Sequence, residues 1–237
     1  MLCLIPTAAY GRLGAVLSAL IVCASMIGLT MHKDFYAGIR RRDYYCFYTN
    51  LSNLFVLLYF SLVAPRLYAR AALRPLIPHA EFMVMMMIML TFCVFHIMIF
   101  PSVAIAARKA KRTSAFYIAF ADNLFEHYIV PWLVFIYWLL CSPGKQALGL
   151  ADVFLWTLIP VIYLVFIFLR ARRCKEIREA GSPYPYPFLD IRVFGVWRVA
   201  RLCAVLYGIC AAAGLFLVAF MRILFALFGA GHALILV

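Results

Sequence analysis

The chain has 237 residues, 68% of them hydrophobic and only 13% charged, with a formal charge of +13 and a mean hydropathy of +1.00. A water-soluble domain of this length needs a far larger charged surface, so the composition excludes a soluble enzyme or carrier. Lipid-facing helices need no such surface, and the expected fold is all-α, a polytopic membrane bundle.

Uninterrupted apolar runs of about 20 residues, enough to cross roughly 30 Å of hydrocarbon, predict six spans: 13–31, 44–64, 81–100, 116–141, 153–169 and 202–221. The first is longer than the core of a signal peptide and no small-residue cleavage site follows it, so it is read as an uncleaved helix. The breaks between spans are marked by Pro65 with Arg66, Arg70 and Arg74, by Pro101 with the RKAKR run at 108–112, by SPGK at 142–145, and by the basic, proline-rich stretch 170–198. Little chain remains outside the spans, so the sequence is expected to form one membrane domain.

Basic residues orient the bundle, because cytoplasmic loops collect Lys and Arg. Loops 1, 3 and 5 hold 16 of the 22, and the opposite side holds 6. Odd loops are therefore expected in the cytoplasm and both termini outside. A basic cytoplasmic face suits anionic lipid headgroups, at about 1 kcal/mol per surface cation. The cations flank helices and form no separate module, which argues against a nucleic-acid partner. The eight cysteines include no C-x-x-C pair and read as small apolar fillers, with Cys3 and Cys141 the two on the outer side. No metal-ligand cluster or phosphate-cradling glycine loop is present, and the expectation is no cofactor and no metal.

Polar side chains at membrane depth carry the functional signal, since they are costly there and face a cavity or the bundle interior. The second span opens with FYTNLSNL (47–54), where Thr49 shares a helical face with Ser52 and Asn53. The fourth holds ADNLFEHYIVPW (121–132), which puts Asp122, Asn123, Glu126 and His127 within two turns. Asn123 and His127 share one face and Asp122 and Glu126 the next. Both spans start from the same side. Counted from the nearest basic residue, His127 lies deeper than Thr49, so the two meet if residues 113 to about 123 run along the interface before the helix dives. Thr49 with a base such as His127 makes an activated hydroxyl. Asn53 or Asn50 is then a candidate oxyanion donor, and Asp122 or Glu126 a candidate to hold the imidazole. Packing within the bundle is the alternative reading of each.

Together, FYTNLSN, DNLFEHYIVP and YPYPFLD (184–190) resemble the bacterial branch, often labelled Pr-six-Pr membrane proteins, of the androgen-induced and androgen-dependent TFPI-regulating protein family. The likeness spans most of the chain in three short motifs. Animal members are six-span threonine hydrolases that cleave fatty acid esters of hydroxy fatty acids with one Thr and one His. The resemblance implies those roles for Thr49 and His127, a lipid substrate, and a place in the cytoplasmic membrane of a bacterium. The YPYPFLD loop is read either as boundary and turn residues or as a lid over the site, with Asp190 meeting Arg198 or Arg201. Two other classes stay open. His96 and His127 could act as axial ligands of a haem, and the same polar residues could line a transporter pathway.

Overall fold

The computed structural model describes residues 7–31, 44–109, 113–173, 176–177 and 180–228. Among these residues the fold is all-α without strands, and six helices are long and apolar enough to cross a membrane. They are named here α1 (Gly11–Met31), α2 (Tyr48–Ala69), α3 (Ala71–Ile105), α4 (Phe116–Cys141), α5 (Leu150–Arg173) and α6 (Val196–Leu227). The expected spans each fall on one of them. The loop 1 cations Lys33, Arg40, Arg41 and Arg42, residues 110–112 of the RKAKR run, and Cys3 lie outside the described residues.

The bundle is built around α3, which packs on α2, α4 and α5, while α1 closes the other side against α2 and α4. The long α6 lies mainly on α5. The approach of α1 to α4 is close because residue 28 is glycine: a Cβ there would sit 2.9 Å from Cγ of Glu126. Buried aromatic rings such as Phe82, Trp138 and Trp156 fill the interior. Many large apolar side chains, Ile162 and Phe216 among them, are exposed, as lipid-facing helices require.

Three helices share one irregularity. Each of α2, α3 and α4 contains a five-residue π turn, at Tyr59–Val63, Phe95–Ile99 and Phe125–Ile129. Each turn ends two residues before a proline, Pro65, Pro101 or Pro131. Proline has no N–H to donate and its ring clashes with the carbonyl four residues back. In these helices that carbonyl belongs to Ser61, Ile97 or His127, and the π turn gives it room by holding an extra residue. The segment expected to run along the interface, 113 to about 123, is continuous with the rest of α4. Residues 114–124 are α-helical and continue through the π turn into 130–141 without a bend into loop geometry. With 26 residues, at about 1.5 Å each, α4 is longer than the hydrocarbon is thick, so its first turns can protrude and still leave His127 level with the start of α2.

Candidate active site

Thr49 stands in the first turn of α2. The residue before the helix, Phe47, has no side-chain acceptor to cap it, so the N–H groups of the first turn need partners from elsewhere. The Thr49 N–H finds the Tyr186 phenol oxygen at 3.4 Å. The Thr49 side chain points to α4, where its Oγ1 lies 3.2 Å from Nε2 of His127. Both residues are buried.

The second ring nitrogen of His127, Nδ1, lies 3.2 Å from the backbone carbonyl of Asn123. A carbonyl oxygen only accepts, so this bond requires the hydrogen on Nδ1 and leaves the Nε2 lone pair of the neutral ring facing the Thr49 hydroxyl. Phe95, in the π turn of α3, stacks on the imidazole with ring centres 3.7 Å apart and planes 25° from parallel. The imidazole is thus fixed in tautomer by one helix and in plane by another.

The remaining polar residues of α2 tie the site together. Asn53 Nδ2 donates to the Thr49 carbonyl at 2.9 Å and to the Glu126 carbonyl at 3.2 Å, clamping α2 to α4. Such bonds between membrane helices are worth about 0.6 to 2 kcal/mol. Ser52 bonds to Thr91 of α3 at 2.7 Å and to the Thr49 carbonyl at 2.9 Å. Asn50 Nδ2 donates to the Tyr44 carbonyl at 2.9 Å. Asn53 has both amide hydrogens engaged on carbonyls, and Asn50 is turned toward Tyr44, so neither amide faces the cavity as an oxyanion donor. Among the described residues the partner of His127 Nδ1 is the Asn123 main-chain carbonyl, not a carboxylate. The side chain of Asp122 is half-buried and that of Glu126 is buried against α1 near Gly28.

One side of Thr49 opens on a cavity of about 240 Å³ whose wall is almost wholly apolar, with Phe95, Leu164, Phe188 and Leu206 among its residues. Two of its wall residues, Val161 of α5 and Tyr207 of α6, are exposed on the outside of the bundle. His127 sits behind Thr49 and Phe95.

Loop 5 covers this cavity through Tyr186, Phe188 and Leu189. Asp190 anchors the loop, but not through Arg198 or Arg201. Its carboxylate accepts from Ser182 Oγ at 2.7 Å and from Arg192 at 2.9 and 3.1 Å, and it caps the short helix Ile191–Phe194 by accepting the Arg192 N–H at 2.9 Å. Two residues of separation let one side chain serve as cap and ion-pair partner, which Arg198 and Arg201, already inside α6, cannot match. The Arg192 guanidinium holds the Asp190 carboxyl well below the usual carboxylate range.

His96 is not brought to His127. It is exposed, with Nδ1 3.0 Å from the Tyr128 hydroxyl and its ring stacked between Phe92 and Phe100. Among the described residues no group of three or more His, Cys, Asp or Glu is arranged to hold a metal ion.

A second polar cluster at the opposite end of the bundle is absent from the sequence-based reading. Glu81, 2% exposed, accepts from Tyr68 at 3.0 Å and Tyr137 at 3.1 Å, both on Oε1. Nearby, Lys145 is 0% exposed, donates to the Ser142 carbonyl and lies 5.9 Å from the Trp138 ring. The signal in the sequence is Glu81 itself, an ionisable residue at the edge of the apolar run 81–100. Comparison of the chain with family models, with curated proteins and with solved structures finds no match.

Proposed function

We propose that the protein is a lipid-ester hydrolase in which Thr49 is the nucleophile and His127 the general base. The observation that carries the reading is the 3.2 Å contact between Thr49 Oγ1 and His127 Nε2 at the wall of an apolar cavity. A threonine hydroxyl is a weak nucleophile until a base takes its proton, and the neutral imidazole presents a lone pair at the right distance. The cavity suits an acyl chain and admits it from the lipid phase, so the substrate class is a fatty ester, of which fatty acid esters of hydroxy fatty acids are the type implied by the motif resemblance. The same resemblance and the distribution of basic residues support a bacterial cytoplasmic membrane, with both termini outside and the site near the cytoplasmic leaflet.

The test is hydrolysis of fatty esters, with labelling by a fluorophosphonate, in purified wild type and in Thr49→Ala, His127→Ala and the double variant. Each single change abolishes turnover and labelling, and the double is little worse than either, as expected of residues acting as a unit. Thr49→Ser keeps part of the activity because the hydroxyl remains. A folded Thr49→Ala protein with full activity would overturn the reading.

A further inference from the structure

Four tyrosines line the cavity beside Thr49. Tyr48 donates its proton to the Met87 carbonyl at 3.3 Å and Tyr163 to the Cys46 carbonyl at 2.8 Å. Tyr207 shares a 3.4 Å bond with Thr157. Tyr186 differs from these. Its oxygen accepts the Thr49 N–H at 3.4 Å at the cavity wall, and among the described residues no carbonyl takes its hydrogen, which leaves the O–H available to the cavity.

We propose that Tyr186 is a further catalytic residue, whose O–H stabilises the oxyanion formed when Thr49 attacks an ester; the proposal rests on the hydrolase reading above. The need for such a donor is clear from the local inventory. The Asn53 amide is engaged on the carbonyls of Thr49 and Glu126, and the Asn50 amide on that of Tyr44. Accepting the Thr49 N–H polarises the phenol and strengthens its own donation. Burial pushes the Tyr186 phenol up from its ordinary value, so the proton stays in place at neutral pH.

In the step, Thr49 Oγ1 bonds to the carbonyl carbon and its proton passes to His127 Nε2. The carbonyl π pair moves onto oxygen, which accepts the Tyr186 O–H bond. Collapse of this intermediate restores C=O and expels the alcohol oxygen, which takes the proton from His127. Water then adds to the acyl-threonine and gives a proton to His127. The second collapse releases the acid, and Thr49 Oγ1 recovers that proton. Tyr186 keeps its own proton throughout.

Proline on both sides of Tyr186, an edge contact with Phe47 at 5.9 Å and a stack on Phe188 at 5.3 Å fix the ring independently of its hydroxyl. Tyr186→Phe is therefore the test, measured on p-nitrophenyl octanoate with the full chain in detergent micelles, beside Thr49→Ala. The expected result is a fall in kcat of about 10²-fold with KM within about twofold, the signature of an interaction made only in the transition state. A Tyr186→Phe protein with kcat within about threefold of wild type, while Thr49→Ala is inactive, overturns the proposal and leaves the hydrolase reading intact. An active Thr49→Ala removes both. If Tyr186→Phe does not fold, replacement of Tyr186 by 3,5-difluorotyrosine decides the matter. That more acidic phenol keeps the shape and should move the alkaline fall of kcat to lower pH, whereas an unmoved profile overturns the proposal.

Discussion

The main-chain carbonyl of Asn123 lies 3.2 Å from Nδ1 of His127, so the imidazole is oriented by a neutral backbone group one turn earlier on its own helix. In a serine-type triad a buried carboxylate fills that position and also stabilises the imidazolium. Here the tautomer is set without a charge, which suits a site inside an apolar bundle where an extra carboxylate would be expensive to desolvate.

This arrangement predicts that Asp122→Asn and Glu126→Gln keep ester hydrolysis within about tenfold of wild type, against a loss of roughly 10⁴-fold where a carboxylate holds the catalytic His. Steady-state kcat of the purified variants is the measurement. A loss of that larger size in either variant would restore a carboxylate to the triad.

The division of basic residues between the two sets of loops, 16 to 6, predicts the orientation. A reporter active only outside the cytoplasm should work when fused after Val237 and fail when inserted near Ser182. The opposite pattern would move Thr49 to the outer leaflet.

Loop 5 should resist mild acid. Because the Arg192 guanidinium depresses the Asp190 carboxyl, the folded state holds the charged form more tightly than the unfolded chain does. The resulting stability is fully present above about pH 4, the ordinary carboxylate value, and is lost only as pH falls further through the folded value. Limited proteolysis between residues 176 and 190 should therefore be unchanged from neutral pH to about pH 5. Asp190→Asn should open the loop already at neutral pH and reduce hydrolysis through Tyr186.

Lys145 gives the opposite slope. Burial pushes its ammonium from 10.5 down to about 8, so between those values the folded protein binds fewer protons than the unfolded chain. Stability from this group rises with pH across that window and is flat below it. Melting temperatures taken between pH 7.5 and 9.5 should climb more steeply in wild type than in Lys145→Met. Equal slopes would mean the ammonium is hydrated.

The six helices are legible in the sequence because a membrane span is a long local signal, read from hydropathy alone. Thr49 and His127 are legible for a related reason: a polar face within an apolar run has few explanations. Their partners are harder to read. Asn123 acts through a main-chain atom that every residue possesses, so its side chain gives no clue. Arg192 lies close to Asp190 in sequence, but the short capped helix that makes the pair is below the resolution of hydropathy windows. Glu81 sits where an apolar run begins, and it is buried against Tyr68 of α2 and Tyr137 of α4, which no local window of sequence brings to it. Tyr186 is one aromatic in a proline-rich loop, and only the folding of that loop onto α2 distinguishes it from Tyr184.

The π turn at Phe125–Ile129 also sets how this protein can change by insertion and deletion. An α-helix has no slack: removing one residue rotates everything on one side of the gap by about 100°. A π turn holds one residue more than the α ladder needs, so deletion of a residue between Asn123 and Pro131 can be absorbed by converting the turn to α-helix. The half of α4 from Trp132 to Trp138 would keep its packing on α1 and α3, and the turns carrying Asp122 and Asn123 would keep their own facing, while only the residues inside the turn change register. His127 lies inside that turn, so the deletion that leaves the bundle assembled is the one that takes its imidazole away from Thr49.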